Sequence, residues 1–206
     1  MCCRRCTEEG RVERSLMLEG ERIEGLTVTG EALSDRTYLE CTFVDCIFSE
    51  VELRRVTFRD CKMIRCRLES VHGRGSVMER MDFEDCFFSG IQWHEFLSGN
   101  RYAELFSSLK RVSMRYCTFA ELKLPEIDFS GMQLVGSTFA ECELSSASFR
   151  GSELDRTEFF RCDLTRADFR DAVGYRVDVP TCKVKDARFS FPEAMNLLGS
   201  LGIRID

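Results

Sequence analysis

The sequence predicts an all-β solenoid, a parallel β-helix of square cross-section, with a short helical insertion and a C-terminal helix. Three observations predict it. Every fifth residue from Met114 to Phe169 is large and apolar, and after Met114 Phe and Leu alternate: Phe119, Leu124, Phe129, Leu134, Phe139, Leu144, Phe149, Leu154, Phe159, Leu164, Phe169. Two residues before each stands a small or apolar residue, among them Cys117, Ser137, Cys142, Ala147, Ser152, Cys162 and Ala167. Charged and hydroxyl residues fill most of the remaining positions, as in Arg54-Arg55, Arg59-Asp60 and Glu84-Asp85.

A period of five matches neither the helical 3.6 nor the strand 2.0, so the repeat itself must specify the backbone. If each five-residue unit makes one side of a square coil, four units close a turn of about 20 residues. Coils then stack at the sheet spacing of about 4.8 Å. The large residue and the small one before it point inward, and the other three point out. Strict Phe/Leu alternation places Phe over Phe and Leu over Leu, which a close-packed interior requires to avoid gaps and clashes.

With 206 residues, the chain is long enough for one domain with a substantial interior. Apolar residues make up 44% and charged residues 31%, which excludes the disordered and membrane classes. No apolar run approaches the roughly 18 residues that span a bilayer. The start, Met1-Cys2-Cys3-Arg4-Arg5-Cys6, lacks the apolar core of a signal peptide, so a cytoplasmic location is expected. The net charge of −6, with both signs interleaved, argues against direct nucleic-acid binding.

Twelve cysteines would suggest disulfides or zinc if only counted. Their positions argue otherwise. Cys41, Cys46, Cys61, Cys66, Cys86, Cys117, Cys142, Cys162 and Cys182 each fall two residues before a large apolar residue, a slot shared with Ala, Ser, Thr and Val. They read as small packing residues in a reducing compartment. Cys3 and Cys6 form a Cys-x-x-Cys with no second ligand pair at zinc spacing, so no metal or cofactor is expected.

In chain order, residues 1–30 read as an irregular lead-in, 31–190 as the repeat body and 191–206 as a C-terminal helix and dimerisation tail. The first block has its large slots at Leu33, Tyr38, Phe43, Phe48, Leu53, Phe58, Met63, Leu68, Gly73, Met78, Phe83, Phe88 and Trp93. Gly73 breaks the pattern and predicts a small outward loop. Between Trp93 and Met114 the frame shifts by one. Tyr102, Leu105, Phe106 and Leu109, spaced i, i+3, i+4, i+7, predict a short amphipathic helix near 101–110. An insertion into a regular solenoid, here about 94–111, is where a specific contact would be built. Trp93, His94, Arg101, Tyr102, Lys110 and Arg111 are the candidate partner-contact residues. At the end, Pro192 suits a first helical turn and Ala194, Met195, Leu197, Leu198 and Leu201 crowd one segment with apolar groups.

The repeats, as in Ala147-Ser148-Phe149-Arg150-Gly151 and Ala167-Asp168-Phe169-Arg170-Asp171, resemble those of the pentapeptide repeat proteins over about residues 31–190. That resemblance implies a right-handed quadrilateral parallel β-helix of roughly seven or eight coils. The tail, Asp171-Ala172-Val173-Gly174-Tyr175-Arg176-Val177-Asp178 and Ala187 to Ile203, resembles the topoisomerase-protecting members, the fluoroquinolone- and albicidin-resistance proteins. It implies a symmetric homodimer joined through the terminal helix, with Leu197, Leu198, Leu201 and Ile203 at the interface. It also implies an inserted loop that helps engage DNA gyrase.

Catalytic equipment is sparse. His72 and His94 lie in unrelated interruptions with no adjacent nucleophile or ligand signature, and there is no phosphate-binding glycine loop. The sequence is therefore read as a non-enzymatic binding protein. One form is a DNA-mimicking rod that binds DNA gyrase or topoisomerase IV and protects it from inhibitors. The other is a general protein-interaction scaffold with a different partner.

Overall fold

The computed structural model describes residues 16–97 and 104–203. Strands of mostly three residues alternate with single-residue corners, and all pairings between strands are parallel. The pairing register is 20 residues: Tyr38 lies over Leu18, Phe58 over Tyr38, Phe43 over Ile23 and Phe48 over Val28. Five residues make one side, four sides one coil, and the chain completes about eight turns. It is a quadrilateral parallel β-helix.

Corners explain where the charges sit. The residue two after each large one has φ near +55°, as at Asp45, Asp60, Arg65, Arg80, Asp85 and Glu141. This left-handed conformation turns the chain by a right angle. It is unfavourable for β-branched residues and leaves the side chain in solvent, so short polar, charged and glycine residues collect there.

Inside, the Phe/Leu alternation resolves into two aromatic stacks on opposite sides of the square. Phe119, Phe139 and Phe159 stack on one side, with centroids 4.3 and 4.8 Å apart and rings within 6° of parallel. Phe129, Phe149, Phe169 and Phe189 stack on the other. Across the interior the stacks meet edge to face, as between Phe139 and Phe149 at 5.7 Å and 84°. Offset stacking along the axis and edge-to-face contact across it are both favoured ring geometries. Leu134, Leu144, Leu154 and Leu164 line the two remaining sides and are fully buried.

The nine cysteines of the small slot are buried and free. Small size is one reason they fit, and hydrogen bonding is another. The Cys142 thiol donates towards the carbonyl of Phe119, one coil below, at 3.3 Å, and Cys162 does the same to Phe139 at 3.4 Å. Ser152 and Thr157 repeat this bond with hydroxyls, to Phe129 and Leu134. Burial pushes the Cys61 thiol up to about 12 and the Cys117 thiol up to about 11, so both stay protonated at neutral pH.

Four sequence expectations are corrected. Leu16–Glu19, Arg22–Glu24 and Thr27–Thr29 are regular strands paired with the next coil, so residues 16–30 are sides of a coil rather than an irregular lead-in, and residues 1–15 of that lead-in lie outside the described residues. Phe106–Lys110 is a strand paired with Met81–Glu84, where a helix was expected near 101–110; Phe106 and Leu109 turn inward because the next coil must resume there. Residues 101–103 of that expected helix, with Arg101 and Tyr102, lie outside the described residues, and Leu105 is buried ahead of the strand. Gly73 does not open an outward loop. A Cβ at Gly73 would stand 2.4 Å from the ring of Phe96, which enters the interior from the insertion and fills the column where Gly73 has no side chain. Finally, Trp93 is 0% exposed and packs against Phe83, Phe88 and Phe106, so it cannot touch a partner.

Candidate binding surface

The register between successive coils rises from 20 residues, Met63 to Phe83, to 26 at Phe83 to Leu109, a multiple of five plus one. Trp93–Phe96 forms a 3-10 turn that delivers Trp93 and Phe96 to the core and leaves His94 and Glu95 half-buried at the surface. Glu95 accepts the Gly73 amide at 2.8 Å and lies 3.7 Å from His72, so it ties the turn to the coil below. Glu50, Glu52, His72, Arg74, Gln92 and Glu95 line an open depression of about 470 Å³ beside it. Of the expected contact residues, Lys110 and Arg111 are exposed.

Arg111 belongs to a larger pattern that the sequence reading missed. Corner carboxylates are clamped by corner arginines one coil away. Arg55 grips both oxygens of Asp35 at 2.6 Å, Arg65 those of Asp45 at 2.7 and 2.8 Å, and Arg80 those of Asp60 at 2.6 Å. Arg111 grips Asp85 at 2.6 and 2.8 Å and reaches Glu84 as well. Asp45, Arg65, Asp85 and Arg111 thus climb one corner with alternating sign. Opposite charges spaced 20 residues apart at corner positions are the sequence signal, visible only once the coil length is known.

These fork-to-fork hydrogen bonds hold the carboxyls of Asp35, Asp45, Asp60 and Asp85 below the usual carboxylate range. Each depressed group contributes stability above its unfolded value of 3.8 and loses it as pH falls through the folded value. The thermal midpoint is therefore expected to fall below about pH 4. In the triple variant Arg55→Gln, Arg65→Gln, Arg80→Gln that acid-dependent drop should be smaller, as read by melting curves from pH 7 to 2. Because the pairs are solvent-exposed, raising salt should weaken them.

At the C-terminal end, a 3-10 turn over Glu193–Met195 leads into a helix of five residues, Asn196–Ser200. Leu197 is half-buried against the solenoid's own core, and Leu198 is half-buried. Leu201 and Ile203 are about half exposed, and Phe191 is 80% exposed. Among the described residues, the end of the rod therefore presents an exposed apolar cap. No helix among the described residues is long and apolar enough to cross a membrane.

A family model of pentapeptide repeats matches the chain in eight copies, over residues 52–90 and 113–151. Both segments of the chain carry pentapeptide repeats. The two matched segments flank the insertion, where the five-residue frame is lost. Among solved structures, the full-length fluoroquinolone resistance protein QnrB1 is similar at 16% identity, with a TM-score of 0.50, over 91% of this chain and 100% of that one. HetL, a pentapeptide repeat protein involved in heterocyst differentiation regulation in the cyanobacterium Nostoc, is 12% identical with a TM-score of 0.43, over 84% of this chain and 87% of that one. The QnrB1 likeness is one of fold. No curated protein sequence matches.

Proposed function

We propose that this pentapeptide repeat protein is a non-enzymatic, cytoplasmic, dimeric rod that binds a protein partner through its outward faces. The observation that carries this reading is the division of the molecule. The large apolar side chains of the five-residue ladder are committed to the interior columns, many of the carboxylates to arginine clamps, and what is left for a partner is the flat faces, the insertion and the apolar cap. Carboxylates neutralised in this way serve as surface structure and not as acid–base catalysts.

DNA gyrase and topoisomerase IV are the first partners to test. The tail resembles that of the topoisomerase-protecting members, and QnrB1, a fluoroquinolone resistance protein, shares the fold. In a supercoiling assay, adding the purified rod should restore gyrase activity at a fluoroquinolone concentration that otherwise inhibits it. No change at a large molar excess over gyrase would remove these enzymes as partners.

The arginine clamps favour a second reading of the contact itself. A duplex mimic needs a continuous row of unpaired negative charge, whereas Asp45, Arg65, Asp85 and Arg111 alternate in sign along one corner. Contact through the faces and the insertion, by a scaffold rather than by an imitation of phosphates, fits that surface better.

Dimerisation is proposed through the cap, with Leu201 and Ile203 outermost and Leu197 and Leu198 supporting them. The variant Leu201→Glu, Ile203→Glu should be a folded monomer by light scattering. A native chain that is already monomeric would end this reading.

A further inference from the structure

We infer that the side of the rod formed by Ile47–Ser49, Arg67–Glu69, Phe87–Ser89 and Ser113–Arg115, next to Tyr116, is a docking surface for a partner segment that carries a carboxylate beside an aromatic or aliphatic side chain. This rests on the binding-rod reading and adds where the contact lies and what it recognises. On this side Ile47, Arg67, Phe87 and Ser113 are stacked in register on successive coils and point outward. At about 4.8 Å per coil they run for roughly 15 Å.

The patch differs from the rest of the surface in three ways. Phe87 lies half-buried between two guanidinium groups, with Arg67 Cζ 4.5 Å and Arg115 Cζ 5.9 Å from its ring centre, within cation–π range. Arg67 also has a carboxylate, Glu69 at 2.6 Å. Arg115 has no ion pair among the described residues, in contrast to the clamped Arg55, Arg65, Arg80 and Arg111. Its charge faces an aromatic ring and has no counter-charge among the described residues.

Tyr116 is the third difference. It occupies a corner with φ of 55°, and it is the only aromatic among the described non-glycine corners of this kind. It is 63% exposed, and its ring packs on the backbone of the next coil. The ring lies on Gly136, where a Cβ would stand 2.7 Å from it. A bulky residue in a left-handed conformation is an unfavourable choice for stability alone, and such outliers concentrate where a surface has another task. Rigid exposed Tyr and Arg are the residue types that dominate interface energetics. The neighbours Ile47, Ser113, Gln133 and Val135 are uncharged, so an apolar group can lie on the patch while its carboxylate meets Arg115.

The test uses the full chain and synthetic fluorescent 12-residue peptides of alternating Phe/Leu with Glu, with Lys or with Ser, read by fluorescence polarisation. The Glu series should bind best. Arg115→Glu and Tyr116→Ala should each weaken it about tenfold or more, Tyr116→Phe should retain most of it, and Arg115→Glu should shift preference to the Lys series. Melting curves confirm that the variants remain folded, which their exposed positions favour. Equal binding of the three series, preference for Lys in the native chain, or unchanged affinity in both variants would overturn the proposal. The supercoiling assay reports separately. Glu-series binding with no effect on gyrase leaves this surface standing and removes the topoisomerase. A gyrase effect that Arg115→Glu and Tyr116→Ala leave intact, with no peptide preference, removes the surface and leaves the binding rod.

Discussion

Replacing Phe139 with alanine is expected to destabilise the rod by about 3–5 kcal/mol, because a large cavity opens in an interior that cannot collapse around it. Phe139 is fully buried. It is stacked between Phe119 at 4.3 Å and Phe159 at 4.8 Å, and it meets Phe129 and Phe149 edge to face at 5.8 and 5.7 Å. Each of those rings is held in turn by the hydrogen-bonded coil that carries it, so none can move inward without breaking the 20-residue register. In a stack of repeats that touch only their neighbours, the loss should also weaken the join between the two halves. Denaturant titration gives the value, and a cost near zero would contradict the inward placement of the Phe/Leu ladder.

The second large effect concerns the insertion. Phe96→Ala should cost about 3–5 kcal/mol, since the ring is fully buried in the column position that Gly73 leaves empty. Gly73→Leu should cost about 1–3 kcal/mol or more, because the new side chain and the Phe96 ring claim one space. Combined, the two changes put an ordinary column residue back where the repeat would have one. The double variant should therefore be more stable than the sum of the single effects implies, by a coupling of about 1–3 kcal/mol in a double-mutant cycle. Strict additivity would mean that Phe96 and Gly73 do not share a site.

The contrast between Phe139 and Phe96 shows what the sequence could disclose. Phe139 is one of a dozen residues in frame, and a five-residue period has one economical backbone, so its burial and its stacking partners 20 residues away follow from counting. Phe96 stands outside the frame. Only the close approach of its ring to Gly73 reveals that the break in the ladder and the insertion are one feature, a replacement of a column residue by a side chain from elsewhere in the chain. Leu105, Phe106 and Leu109 carried a helical spacing by coincidence; pairing with Met81–Glu84 in the coil below outweighed that local preference. Local propensity is a weak prior where strand pairing competes.

Of the candidate surface, the C-terminal cap was legible as an apolar tail. The shortness of its helix and the inward turn of Leu197 were not, since both depend on how the last coil receives the chain. The arginine clamps were present in the sequence as Asp35 and Arg55, Asp45 and Arg65, Asp60 and Arg80, but a reading that lists outward charges singly cannot see pairs that the coil brings together. Those clamps alter the functional reading most, because paired charges of alternating sign suit a phosphate mimic poorly. Trp93 and Tyr116 exchange roles for a similar reason. The tryptophan looked like an exposed contact and is interior, while Tyr116 sits at a corner where a sequence pattern marks only a polar position.

The proposal that this rod binds a protein partner, with a topoisomerase the first to test, is most directly tested by sedimentation velocity of the purified rod mixed with gyrase in the absence of DNA. The account predicts a faster-sedimenting complex that contains the rod, and its dissociation by added DNA would show that the two share a surface. A rod that sediments alone at every gyrase concentration would contradict it.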